Sequence, residues 1–168
     1  MIGAPTEGHD VDVLDDLGNV IRTASRAEVR RDNLRHRTVF IAVLNDNDEL
    51  LVHRRAEWKD VWPGLWDVAF GGVVDAGEAW EAAAVRELSE EAGVRLELGY
   101  LGEDTYDDDQ VRELARVYLA RTAGPFTFDD GEVAEVAWVA LTELRAWIAE
   151  RSVCPDSVGV VLPRLDWP

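Results

Sequence analysis

Gly72-Val73-Val74-Asp75-Ala76-Gly77-Glu78, followed after seven residues by Arg86-Glu87-Leu88-Ser89-Glu90-Glu91-Ala92-Gly93-Val94, decides how this chain is organised. Residues 78–92 carry the strongest helical signal in the chain, and Gly93 stands where a left-handed C-cap belongs. Trp80, Ala84 and Leu88 recur at i, i+4 and i+8 with Val85 beside them, so this stripe is expected to face a core. Glu87, Glu90 and Glu91 stand at i, i+3 and i+4, which brings their carboxylates to one common face. Like charges this close repel by a few tenths of a kcal/mol per pair on an isolated helix, and a divalent cation would offset that. Mg²⁺ takes oxygen ligands and is usually held by a few carboxylates together with substrate phosphate. Bound there, it polarises phosphoryl oxygens and acidifies a water. Arg86, four residues before Glu90, is placed to orient that carboxylate.

Outward from this segment, residues 67–74 read as a strand ending in Gly71-Gly72, and residues 75–77 as a turn. Before it, residues 11–14 and 20–23 flank Asp15-Asp16-Leu17-Gly18-Asn19 as a hairpin. Basic residues cluster from Arg22 to Arg37. Residues 38–45 form an almost continuous apolar strand suited to burial on both faces, and residues 50–53 return as the next. Residues 57–66 place three tryptophans around Pro63-Gly64 and read as a loop. After the helix come strands at 96–105, 111–121 and 133–140, a helix at 142–150 capped by Thr142, and a short one from Pro155 to about Pro163. Strands before and after a central helix, with a helix near the end, predict an α/β sandwich with a mixed sheet.

Residues 1–10 lack periodicity and read as a flexible tail, leaving 11–168 as a single domain. No apolar run approaches a membrane span, and the acidic first residues lack a signal-peptide layout. One cysteine, Cys154, excludes an internal disulfide framework and fits a reducing, cytoplasmic setting. The formal charge of −17 argues against a nucleic-acid polymer as partner. It would also repel a small anionic substrate unless cations or a local basic patch reverse the field.

The quoted segment fits G-x5-E-x7-R-E-U-x-E-E-x-G-U, with U apolar, at every fixed position. Chance would produce such a match in a chain of this length with odds on the order of one in ten million. It resembles the Nudix box. The resemblance implies an α/β/α sandwich in which the box forms a loop–helix–loop. It implies Mg²⁺ or Mn²⁺ held by Glu87, Glu90 and Glu91, with Arg86 and Glu78 organising the helix and the Gly72 backbone close to the metal. The implied reaction is attack of an activated water on a diphosphate in a small molecule, most simply a nucleoside di- or triphosphate or a related derivative. Family members take their general base either from the box or from a later acidic loop. Asp129-Asp130-Gly131-Glu132 and Glu135 offer such a loop, with Glu132 the candidate.

Beyond the box, the order Gly18, Arg22, His36-Arg37, Leu50-Leu51-Val52, Arg54-Arg55, Lys59, Pro63-Gly64-Leu65-Trp66-Asp67 resembles the isopentenyl-diphosphate isomerase-like branch. That likeness implies a diphosphate grip by Arg55 and Lys59, and Trp58 beside them is the tryptophan expected to face solvent and a nucleobase. The isomerases carry a cysteine in the strand entering the box. This chain has Asp67-Val68-Ala69-Phe70-Gly71-Gly72, with neither cysteine nor histidine. Hydrolysis is therefore expected over isomerisation, with a non-catalytic nucleotide-binding module as the further alternative. His36 and His53 read as packing residues at strand ends.

Overall fold

The computed structural model describes residues 9–167. The stretch 1–8 of the expected tail lies outside the described residues, while Asp10 already belongs to the first strand. The elements run β1 Asp10–Leu14, β2 Val20–Ser25, α1 Arg26–Arg31, β3 His36–Leu44 and β4 Glu49–Arg55. They continue with β5 Trp66–Asp67, β6 Phe70–Val73, α2 Trp80–Ala92, β7 Gly99–Asp107 and β8 Arg112–Arg121. β9 Val133–Ala140, α3 Leu144–Ala149 and α4 Pro155–Val161 complete them, with a 3₁₀ turn at Leu162–Arg164. Among the described residues no helix is long and apolar enough to cross a membrane.

β3 is the hub. It runs parallel to β8 from His36↔Glu113 to Leu44↔Arg121 and antiparallel to β1, β4 and β6, so the sheet is mixed as expected. Its uninterrupted apolar sequence is explained by two cores, one on each face. Val39, Ile41 and Val43 pack with Ala83, Ala84 and Leu88 of α2. Phe40, Ala42 and Leu44 pack on the other side with Leu144 of α3 and Val160 and Val161 of α4. The period-two alternation of one strand thus builds an α/β/α sandwich.

Several boundaries differ from expectation for physical reasons. The strand expected at 67–74 is two short ones, because β5 pairs with β4 while β6 crosses to β3. Asp67 bends the chain between them by accepting from the Ala69 N–H at 3.2 Å. The helix expected from Glu78 starts at Trp80, since the Glu78 backbone is held in a turn on Asp75 O at 3.0 Å. Gly93 ends it with φ 69°, as expected. Thr142 is not a cap: α3 grows from successive turns at 141–143, with Glu143 at the N-cap and no side-chain cap bond. The basic stretch hides a helix, α1, whose cap Ser25 accepts from the Glu28 N–H at 3.2 Å. Ser25-Arg26-Ala27-Glu28 is a capping-box signature that could have located it.

Candidate active site

The carboxylates of α2 do not share one solvent face. Glu87 and Glu91 are buried, at 8% and 5% exposure, and lie on the side of the helix that meets β6. Glu90 stays outside, its side chain 57% exposed. The helix can approach the sheet here because β6 presents Gly71-Gly72. A Cβ on Gly72 would stand 2.6 Å from Glu87 Oε2, and one on Gly71 would collide with the Val39 carbonyl oxygen. The Gly71 N–H donates to Glu91 Oε2 at 3.2 Å.

Arg86 organises more than Glu90. Its Nε and Nη2 grip both oxygens of Glu78 at 2.9 Å each, and Nη1 donates to Glu87 Oε1 at 2.7 Å. The contact to Glu90 Oε2 is longer, at 3.3 Å, and Nη2 also reaches the Val73 carbonyl at 3.2 Å. A bidentate guanidinium of this kind fixes orientation as well as charge. Glu78 in turn accepts from the Asp75 N–H, tying the helix to the turn before it.

Glu132, from the loop before β9, stands beside Glu91 and pairs with Lys59 Nζ at 2.5 Å. Burial, helped by the charge of Glu90 and resisted by Arg86, raises Glu87 to a pKa of about 7. Burial also holds Glu91 well above the carboxylate range, reinforced by the charges of Glu87 and Glu132. Glu132 goes the other way: burial would raise it, but the charge and hydrogen bond of Lys59 outweigh that and keep it low.

Glu91, Gly71, Gly72, Arg55 and Lys59 line one pocket, a partly open cavity of about 60 Å³. Arg55 donates from Nε and Nη2 to the Val61 carbonyl at 3.1 and 2.9 Å, with Asp67 3.7 Å away. Trp58 is 65% exposed, with Lys59 Nζ 5.6 Å from its ring centre, yet it does not line the pocket. Trp62 does, while Trp58 faces solvent as expected. Sequence reasoning also missed Arg26 and Arg30 of α1, which line the same pocket. Their i, i+4 spacing becomes meaningful only once the helix is recognised.

The pocket floor is polar and buried. Thr38 donates to Glu113 Oε2 at 2.7 Å, while Glu113 Oε1 and His53 Nδ1 have no hydrogen-bond partner among the described residues. Burial and the charge of Asp156 push Glu113 up to about 8, and burial pushes His36 down to about 4. His53, stacked on Phe70 at 4.4 Å between ring centres, is likewise lowered to about 4 by burial.

Among the described residues no three His, Cys, Asp or Glu side chains are already gathered as a metal cluster. The donor set nevertheless suits a hard divalent cation. Two buried carboxylates with heightened proton affinity face a glycine backbone, and Glu90 is tethered outside only by the longest Arg86 contact.

With this geometry in hand, the likeness to known proteins is specific. The NUDIX domain model matches residues 34–156. The chain is 36% identical over 149 residues to the uncharacterised Nudix hydrolase YfcD of Escherichia coli strain K12, covering 88% of this chain and 82% of that protein. Nudix hydrolase PA4841 of Pseudomonas aeruginosa, also uncharacterised, is 35% identical over 158 residues, 91% of each chain. Among solved structures, DR0079 from Deinococcus radiodurans superposes with a TM-score of 0.76 at 25% identity, covering 88% of this chain and 94% of that one. The NUDIX domain of Shewanella oneidensis NrtR, solved with ADP ribose, shares the fold at TM-score 0.60 and 19% identity, over 81% and 94% of the two chains. The chain belongs to the Nudix hydrolase family.

Proposed function

We propose that this hydrolase is a Mg²⁺-dependent pyrophosphohydrolase, Mn²⁺ being the alternative ion, acting on nucleoside di- or triphosphates or related nucleoside diphosphate derivatives. The observation that carries this reading is that Glu87, Glu91 and Glu132 converge beside a pocket whose other wall is cationic. Glu87, Glu91 and, after turning inward, Glu90 would hold the ion, with the Gly72 backbone alongside. When bound, the ion supplies charge neutralisation on the phosphoryl oxygens and acidifies a water. Arg86 fixes the helix carboxylates. Glu132, kept ionised by Lys59, is the base that accepts the proton of the attacking water. Arg55 and Lys59 orient the diphosphate from the opposite side.

Isomerase-like chemistry is disfavoured by Cys154. It is fully buried at the N-cap of α4, outside the pocket lining, and burial holds its thiol protonated. The test is phosphate release across nucleoside mono-, di- and triphosphates, nucleotide sugars and isopentenyl diphosphate, with and without EDTA. Turnover of a nucleotide class that EDTA abolishes is expected. Glu91→Gln should lower that turnover by roughly 10²–10⁴-fold while the circular dichroism spectrum stays unchanged. Full activity in that variant would overturn the site.

A further inference from the structure

Helix α2 stops short of the end of the sheet it covers. It begins at Trp80 and packs on Val39, Ile41 and Val43 of β3 and on Tyr118 and Ala120 of β8. Strand residues two apart share a face, so Arg37, Leu114 and Arg116 continue that face beyond the helix start. There they line a groove of about 450 Å³, together with Leu17 and Val20 of the β1–β2 hairpin and with Trp80. The charges around it are matched in place. Arg37 pairs with Asp12 at 2.8 Å, Arg116 with Glu103 at 2.8 Å, and Glu78 with Arg86 at 2.9 Å. Both Arg37 and Arg116 also lie against the Trp80 ring, 5.2 and 4.6 Å from its centre. A groove of matched pairs and apolar side chains favours neither an anion nor a cation, so it suits an apolar occupant.

Such an occupant stands on the same surface. Six large hydrophobic side chains are exposed among the described residues, and Leu17 (88%), Val20 and Ile21 stand together on the hairpin. A fourth, Tyr100, lies beside Arg116, whose guanidinium is 5.7 Å from its ring centre. Apolar side chains gathered in this way mark an interaction surface. The strand that carries two of them, β2, is also a free edge of the sheet, exposed from Val20 to Thr23. β7, paired on one side only as well, carries Glu103, Asp104 and Asp107. Charges of that kind keep an edge from meeting another chain, whereas the one charge on β2, Arg22, is paired with Glu28 at 2.8 Å.

Electrostatics narrows the partner. Two chains of net charge −17 repel, but salt screens that repulsion beyond roughly 8 Å, so contact falls where both surfaces are locally neutral. The groove meets that condition. So does the hairpin: Asp16 pairs with Arg112 at 3.2 Å, and Asp15 accepts from the Leu17 and Asn19 N–H groups at 2.9 Å each. A knob and a recess side by side fit a two-fold arrangement, in which each copy supplies both. We propose that this surface is an interface with a second copy of the chain, the apolar hairpin of each copy, Leu17 foremost, seated in the other's groove.

The test is sedimentation equilibrium of the full chain at physiological salt, which needs no substrate. The wild type should show a dimer whose fraction grows with concentration. Leu17→Asp brings a charge to a groove without a free cation, and each substitution occurs twice in a two-fold contact. It should therefore weaken the dimer by at least roughly a hundredfold, with an unchanged circular dichroism spectrum because Leu17 is exposed. Ile21→Thr, which keeps the β-branch, should weaken it by about tenfold. Val136→Asp removes an exposed apolar side chain from β9, across the sheet from the hairpin, and should leave the dimer unchanged. A wild type that stays monomeric up to its solubility limit would overturn the interface. A dimer that survives both hairpin substitutions would overturn it too, since the contact would then lie elsewhere. Equal loss in Val136→Asp would do the same, by showing association without a defined surface.

Discussion

The two walls of the site, on either side of the pocket that Glu91 lines, are built in opposite ways. The α2 wall is local: Glu78, Arg86, Glu87 and Glu91 lie within fourteen residues, and one guanidinium holds Glu78 and Glu87 together. The facing wall is assembled from α1, the loop at 57–66 and the loop before β9, joined by Arg30–Asp60 and Lys59–Glu132 across 30 and 73 residues of sequence. The near wall carries carboxylates whose proton affinity burial has raised; the far wall carries cations, most of them paired. The difference teaches that the reacting end of the site tolerates little displacement, whereas the binding end is a set of separate clasps whose losses can be graded.

The sharpest way to break that contrast is Gly72→Ala. A methyl group 2.6 Å from Glu87 Oε2 would displace the carboxylate or the helix, and misplacement of about 1 Å costs on the order of a hundredfold in rate. A near wall that absorbed the methyl with undiminished kcat would show that it is as forgiving as the far one. Next in size is Lys59→Ala. Loss of one cation from the binding wall should raise KM about tenfold and lower kcat less. A kcat loss larger than the KM change would move Lys59 to the reacting wall, as the residue that keeps Glu132 in place.

The smallest effect concerns the floor between the walls, where stability should depend on pH through Glu113. Its folded pKa of about 8 exceeds its ordinary value of 4.5, so the folded state keeps a proton that the unfolded chain releases. That contribution is complete below 4.5 and is lost as pH rises through about 8. Glu113→Gln, which cannot ionise, should therefore gain on the wild type by a few degrees in melting temperature as pH rises across that window. His36 works in the opposite sense: lowered from 6.5 to about 4, it costs stability as pH falls between those values. A melting-temperature difference that stays flat with pH would mean that Glu113 is ionised in the folded protein.

Legibility in the sequence followed the same division. The box residues, the αL cap at Gly93 and the two-faced strand β3 were readable because helical and strand periods turn short spacings into shared faces. Glu132 could be nominated from its acidic loop, but its place beside Glu91 could not. The 67–74 stretch was misread as one strand because the exchange of partners from β4 to β3 is a property of the sheet. α1 was missed although Ser25 and Glu28 announce its start, since six residues carry too little periodicity to stand out.

By itself, then, the sequence determined the family, the α/β/α layering, and the helix that carries the glutamates, because all of these are written in spacings of three to eight residues. Only the tertiary structure decided that Glu87 and Glu91 turn inward while Glu90 stays out, and that Trp62 rather than Trp58 lines the pocket. It alone placed Arg26 and Arg30 in the lining of the pocket that Glu91 shares. Burial, and the charges it brings within reach, come from segments far apart in the chain, and no local period encodes them.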